Sequence, residues 1–283
     1  MSRLISLLLA SLALAGCASL VSSATSRMAD NVTLAILNQD DPATVRDGAP
    51  AYLIMIDGLI EGDSDNINLL LSGAKLYGSY TAAFLIDDQA RAKRLADKAL
   101  DYAKRALCLR TETVCSALDG RHDEFRILLN KTDGRDLPAL YEFAAAWSGW
   151  IRMNASDWNA IANLSKVTAL FERCLELDET YDGGGPHIYL GVIKSFVPAA
   201  LGGKPEQGRA HFERAIEISA GRNLMISVLM AEHYARNIFD RELHDSLLTS
   251  VLGAEADFPG YTLINALAKQ QAQRLLGESA EFF

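Results

Sequence analysis

Residues 89–107, QARAKRLADKALDYAKRAL, decide the fold class of this chain. Small and apolar side chains recur there every three or four residues, while lysines and arginines occupy the opposite positions. That period places one apolar stripe along an α-helix. Because most of its members are alanines, we expect another helix to pack closely against it. The stripe consists of Ala92, Leu95, Ala96, Ala99, Ala103, Ala106 and Leu107.

The same pattern returns further along the chain, which indicates repeated helical units. Comparable stripes end at Ala106, Cys174 and Ala215, and a weaker one ends at Ser250. Their separations are 68, 41 and 35 residues, against a tetratricopeptide repeat of about 34 residues. Strand signals are scarce, and the chain contains no Asn-Gly dipeptide. The sequence therefore predicts an all-α fold, a degenerate tetratricopeptide-like helical repeat array.

The first helix of each such unit should carry a small residue where the second helix crosses it. The candidates precede the four stripe ends by 24, 25, 24 and 19 residues. A regular unit keeps this spacing near the shortest of those values, about 19 residues, so we expect lengthened loops in three units. The candidates are Ala82, Gly149, Gly191 and Ala231.

The start of the chain has the pattern of an export signal. Arg3 precedes an uncharged apolar run, residues 4–15, that is shorter than the roughly 20 residues of a membrane span. Residues 14–17, LAGC, resemble the lipobox of bacterial lipoproteins. The resemblance implies cleavage before Cys17 and lipidation of its thiol. An ordinary secretory signal, with Cys17 incidental, is the alternative.

This N-terminal pattern gives three predicted segments: a lipoprotein signal peptide at 1–16, a lipidated tether and first helix at 17–46, and the helical domain at 47–283. A protein with such an anchor faces the periplasmic side of the cell envelope. Ala18, rather than an aspartate, follows the cysteine. Resemblance to lipoprotein sorting signals then favours the outer membrane.

Net charge argues against one class of partner. The formal net charge of the chain is −9 at pH 7. Loss of Arg3 with the signal peptide changes the net charge of the mature chain to −10. Nucleic acids need a basic face, so we expect no nucleic-acid partner.

Three cysteines remain once Cys17 is lipidated. An exported compartment permits disulfides, and we expect Cys108 to pair with Cys115 while Cys174 stays free and buried. The alternative is that all three are small core residues. None has the spacing of a metal site.

Two motifs offer candidate ligand contacts. Residues 182–191, DGGGPHIYLG, place three glycines before Pro186, so the stretch predicts either a tight turn between repeats or a helix start that contacts a ligand through His187 and Tyr189. Trp147 and Trp150 are three residues apart on one face of a predicted helix. They either form the wall of an apolar pocket or pack in the core.

Catalytic and metal motifs are not found. The sequence has no G-x-S-x-G, no H-E-x-x-H and no phosphate-binding loop. His122 lies among acidic residues in DGRHDEF, where a solvated loop is the better interpretation than a weak metal site. We expect neither an enzyme nor a cofactor.

Several longer segments point to one family. They are RDGAPAYLIMIDGLI, LLLSGAKLYGSYTAAF, RAKRLADKALDYAKRAL, FERCLELDETYDGGGPHIYLG, GGKPEQGRAHFERAIEIS and LMAEHYARNIFDRELHDSLL. Over nearly the whole mature chain they resemble the TatT family, tetratricopeptide-like lipoproteins associated with tripartite ATP-independent periplasmic (TRAP) transporters.

The family resemblance implies partners and a ligand path. It implies an all-α body that assembles with itself, with a trimer as one candidate, and that binds the solute-binding subunit of the transporter. It also implies an internal, largely apolar cavity or pore through which a ligand is passed. Our own expectation is that the ligand is an apolar or amphipathic acid and that Trp147, Trp150, His187 and Tyr189 line its path. A scaffold for envelope protein assembly, with the same tether and repeats, is the alternative function.

Overall fold

A computed structural model describes residues 34–196 and 203–283 of the chain. Every regular element in these two ranges is helical, which confirms the all-α prediction. After a helical turn at residues 34–37, the α-helices are α1 Pro42–Gly62, α2 Ile67–Phe84, α3 Gln89–Arg110, α4 Glu112–Ser116, α5 His122–Leu129, α6 Leu137–Met153, α7 Trp158–Ala162, α8 Leu164–Leu177, α9 Tyr181–Ser195, α10 Pro205–Ile218, α11 Met225–Leu229, α12 Arg241–Gly253 and α13 Thr262–Phe282. A π-helical segment, Met230–Ala235, directly continues α11.

Polar side chains fix where several helices begin. Asp41 accepts hydrogen bonds from the backbone of Ala43 and Thr44 at the start of α1. Asn66 does the same for α2, and Asp88 accepts from the backbone N–H of Arg91 in α3. These side chains satisfy N–H groups that have no partner within the helix.

The alanine stripe of α3 lies in the core, as predicted. Its alanines are between 0% and 4% exposed, and α3 packs against both α2 and α6. The closest approach on α2 is at Gly73, where a Cβ atom would lie 2.8 Å from Ile60 and 2.9 Å from the Tyr102 ring. The expectation for Ala82 was wrong, because this residue is exposed.

The hairpin of α9 and α10 does follow the expected small-residue crossing. A Cβ atom on Gly191 would lie 2.8 Å from the Phe212 ring, and one on Gly208 would lie 2.1 Å from Ser195 Oγ. By contrast, Gly149 has open space around it and Ser250 is exposed. The assignment of tetratricopeptide-like units therefore stays a prediction, although the close helix pairs are present.

The region between α3 and α6 is folded against α8. The buried Lys166 ammonium donates to the Leu118 and Gly120 carbonyls, and the Arg173 guanidinium donates to Thr132 O at 2.5 Å. Both side chains thus provide hydrogen-bond donors for backbone carbonyl groups near the C-terminal ends of short helices.

Two of the three cysteines among the described residues lie next to each other. Cys108 and Cys115 are joined through their sulfur atoms, with Cα atoms 4.9 Å apart, and Cys174 is free and buried.

No helix within residues 34–196 and 203–283 combines the length and apolar character of a membrane span. Residues 1–33, with Cys17 and the predicted signal peptide, lie outside the described residues.

Candidate functional site

A left-handed turn leads into α9. Asp182, Gly183 and Gly184 have φ values of 50°, 67° and 87°, and regular helix follows at Pro186. Glycine adopts such angles readily, and aspartate tolerates them better than most residues. The turn directs the Asp182 side chain toward α6, where Tyr141 Oη donates to its Oδ2 atom at 2.9 Å.

Gly185 allows α6 to approach this turn. A Cβ atom at that position would lie 2.1 Å from Tyr141 Oη, closer than any side chain permits. The glycine run therefore serves two purposes, the turn itself and the contact between Tyr141 and Asp182.

Three charged groups from α2, α6 and the turn meet beside Tyr141. Lys75 Nζ lies 3.1 Å from Asp182 Oδ1 and 3.9 Å from Glu142 Oε1. The Lys75 side chain is 55% exposed, whereas that of Glu142 is only 11% exposed. Solvent and any small ligand can thus reach the ammonium group, but hardly the Glu142 carboxylate.

Burial dominates the electrostatics of Glu142. Loss of hydration raises the pKa of Glu142 to about 7, the nearby Asp182 carboxylate adds to this rise, and the Lys75 ammonium opposes it. The pKa of Lys75 lies above its ordinary value, because attraction to Asp182 and Glu142 outweighs desolvation. Lys75 is therefore charged at neutral pH, while the Glu142 carboxyl group exchanges its proton in the neutral range.

Four aromatic rings pack together at Tyr141. Tyr189 stacks on the buried Phe171 ring, with centroids 4.5 Å apart and planes 10° apart. Tyr141 meets Phe171, Tyr181 and Tyr189 edge-on at centroid distances of 6.0, 5.1 and 6.1 Å. Such contacts hold the rings in fixed orientations.

We call Lys75, Tyr141, Glu142, Asp182 and Tyr189 the Lys75 cluster. It offers an exposed ammonium group, a carboxyl group that can change protonation near neutral pH, and half-buried aromatic surface. This combination can bind the polar end of a small molecule and hold its apolar part against rings.

The four predicted lining residues make different contacts. Tyr189 belongs to the Lys75 cluster, whereas Trp147 is 8% exposed and packs on Phe143 with centroids 5.1 Å apart. Trp150 Nε1 donates to Asp97 Oδ1 at 2.8 Å, which ties α6 to α3. No ring contact among the described residues joins any two of the four.

His187 faces α10. Its Nδ1 atom lies 2.9 Å from Nδ1 of His211, and its Nε2 atom lies 3.4 Å from Glu179 Oε2. One proton can occupy the space between the two Nδ1 atoms. Burial lowers the pKa of His211 to about 4, with proximity to His187 and to the Lys194 ammonium contributing to the decrease, so His211 is neutral at neutral pH.

The described residues contain no group of three or more potential ligands that could hold a metal ion. His122 lies at the start of α5, and its Nδ1 atom is 4.0 Å from Asp123 Oδ1. The Asp123 side chain is 85% exposed. That contact is at the surface.

Sequence reasoning missed Lys75, Tyr141 and Glu142. One signal was present, because Glu142 is the sole charged residue within residues 137–151, LPALYEFAAAWSGWI. A single carboxylate inside such an apolar stretch is expensive to bury unless it has a partner.

Comparison with known proteins assigns the family. A family model described as the TRAP transporter T-component matches residues 38–283. Among curated proteins no match is found. The match covers the Lys75 cluster and every labelled helix, and it confirms the resemblance drawn from the sequence. The chain belongs to the TRAP transporter T-component family.

Proposed function

We propose that this protein is the lipid-anchored accessory subunit of a TRAP transport system. In this role it binds the solute-binding subunit at the membrane and receives an apolar or amphipathic acid from it. The observation that carries the proposal is the family match over residues 38–283. A transporter component of this kind needs binding surfaces rather than catalytic groups.

The chemistry of the Lys75 cluster supports the ligand part of the proposal. An acid could place its carboxylate beside the exposed Lys75 ammonium. Tyr141, which donates to Asp182, connects this group to the Tyr181 and Tyr189 rings, which offer aromatic surface. Asp182 and Glu142 compete with the ligand for Lys75. That competition favours reversible binding, which a subunit that passes its ligand on requires.

Location and assembly follow from the predicted anchor and the family. Lipidation of Cys17 would hold the protein on the periplasmic side of the envelope. Because Ala18 and not an aspartate follows Cys17, lipoprotein sorting would place it in the outer membrane. Each buried methylene of the acyl chains adds about 0.8 kcal/mol to the anchoring. Assembly with further copies of the chain, in a trimer for example, would place several ligand paths side by side.

A native mass spectrum after gentle extraction tests the ligand proposal. We expect a retained small molecule in the wild-type protein, and less of it in Lys75→Met, because this variant lacks the ammonium group. Trp150→Ala tests the predicted path separately, with Trp158→Ala as its control, because Trp158 is 85% exposed. Circular dichroism verifies that helicity is kept in all three variants.

The same measurements can contradict the proposal. If Lys75→Met retains the same amount of ligand as the wild type, the Lys75 cluster does not bind it. If Trp150→Ala retains as much ligand as Trp158→Ala, Trp150 does not line the path. If no small molecule is retained under any condition, an envelope scaffold without a ligand path becomes the better account.

A further inference from the structure

A second candidate binding site lies away from the Lys75 cluster. A cleft of about 350 Å³ separates the first half of α1 from the junction of α2 and α3. Its walls combine two guanidinium groups with apolar and aromatic side chains. The lining residues are Arg46, Asp47, Pro50, Tyr80, Phe84, Leu85 and Arg91.

The two arginines of the cleft differ in how their donors are used. Arg46 donates to the neighbouring Asp47 carboxylate, from Nε at 2.8 Å and from Nη2 at 3.4 Å. The guanidinium of Arg91 lies over the Tyr80 ring, 5.6 Å from its centroid. Within residues 34–196 and 203–283 the Arg91 guanidinium group makes no hydrogen bond or ion pair. Its N–H groups can therefore donate to a ligand.

The charge of the cleft contrasts with that of the protein. Two guanidinium groups and one carboxylate give the lining a charge of +1, while the whole chain carries −9. A planar guanidinium group binds carboxylate or phosphate through two parallel hydrogen bonds. The cleft therefore favours an anionic group.

Apolar surface continues from the cleft along α1. Pro50 lies at the cleft wall, and Ile54, one helical turn further on the same side, is 73% exposed. Ala51 and Gly58 are exposed beside it. This exposed strip runs about 12 Å from residue 50 to residue 58 at a rise of about 1.5 Å per residue.

We propose that this cleft binds one molecule of a single-chain amphiphile, with its carboxylate or phosphate head on Arg91 and its alkyl chain along Ile54. A bilayer surface fits less well. The exposed carboxylates of Asp47 and Glu61 lie two helical turns before and after Ile54 on α1, on the same face, and would face the anionic lipids of a membrane. A single molecule needs only the guanidinium group and the strip.

Isothermal titration of the purified Lys75→Met variant with decyl phosphate, below its critical micelle concentration, tests the proposal. This background removes the ammonium group of the Lys75 cluster, which would otherwise compete for the same amphiphile. We expect saturable one-to-one binding, and at least tenfold weaker binding of butyl phosphate, because each buried methylene contributes roughly fourfold in affinity. Arg91→Gln should weaken decyl phosphate binding at least tenfold. Arg94→Gln, an exposed arginine of α3 outside the cleft, should leave it unchanged.

Ile54→Ser gives an independent test that does not depend on Arg91, since an exposed side chain can be replaced without loss of fold. It should weaken decyl phosphate binding and leave butyl phosphate binding unaltered. Three results would overturn the proposal: no saturable binding, an equal loss in Arg91→Gln and Arg94→Gln, or binding only to vesicles that contain phosphatidylglycerol. None of these results bears on the Lys75 cluster, because Lys75 is not part of the cleft.

Discussion

Glu142→Gln should make the protein more stable at alkaline pH. In the folded chain the pKa of Glu142 is about 7 against an ordinary value of 4.5, chiefly because burial disfavours the carboxylate. Between these two values the folded state binds more protons than the unfolded state, so the free energy of unfolding falls as pH rises through that window. Glutamine cannot ionise, and the variant therefore escapes this loss.

The size of the effect follows from the same two values. At about 1.4 kcal/mol per pH unit, the difference between 4.5 and about 7 costs the folded wild type roughly 3 kcal/mol above pH 7. Water that reaches Lys75 and partial relaxation reduce this, so we expect Glu142→Gln to gain about 2 kcal/mol relative to wild type between pH 5 and pH 8.

Urea unfolding followed by circular dichroism at pH 5 and pH 8 measures this gain. Glu61→Gln, which removes an exposed carboxylate from α1, is the matched control and should show no comparable change. If the stability difference between Glu142→Gln and wild type is the same at both pH values, Glu142 ionises normally. Our account of the Lys75 cluster would then be wrong.

Three further predictions concern the anchor, the cysteines and the glycine turn. Cys17→Ser should leave the precursor uncleaved and unlabelled by radioactive palmitate, and label in that variant would place the lipid elsewhere. Peptide mapping without reductant should recover Cys108 joined to Cys115, a link that stabilises by roughly 2 to 3 kcal/mol in the chain-entropy model; free thiols at both positions would contradict it. Gly185→Ala should cost about 1 to 3 kcal/mol in chemical denaturation, because its Cβ would lie 2.1 Å from Tyr141 Oη, and an unchanged midpoint would show that α6 can move away.

Helical periodicity predicted the fold class because it depends on local spacing alone. The buried alanines Ala99, Ala103 and Ala106 required no knowledge of the partner helices. The crossing points were harder to predict. Ala82 and Gly73 are both small residues of α2, and the positions of Ile60 on α1 and Tyr102 on α3 make Gly73 the one that meets the neighbouring helices.

The Lys75 cluster shows why a site is harder to predict than a helix. Lys75, Glu142 and Asp182 come from segments up to 107 residues apart, so no motif of fixed spacing contains them. The turn at residues 182–185 was recognised from its glycines. Its role in directing Asp182 toward Tyr141 depends on the packing of α6, which the turn sequence does not encode.

Binding to the solute-binding subunit tests the central claim most directly. The tethered protein, extracted gently, should co-purify with a TRAP solute-binding protein of the same cell, and the complex should form at micromolar concentrations. Absence of a complex at those concentrations, with and without ligand, would contradict the transport account and favour the envelope scaffold.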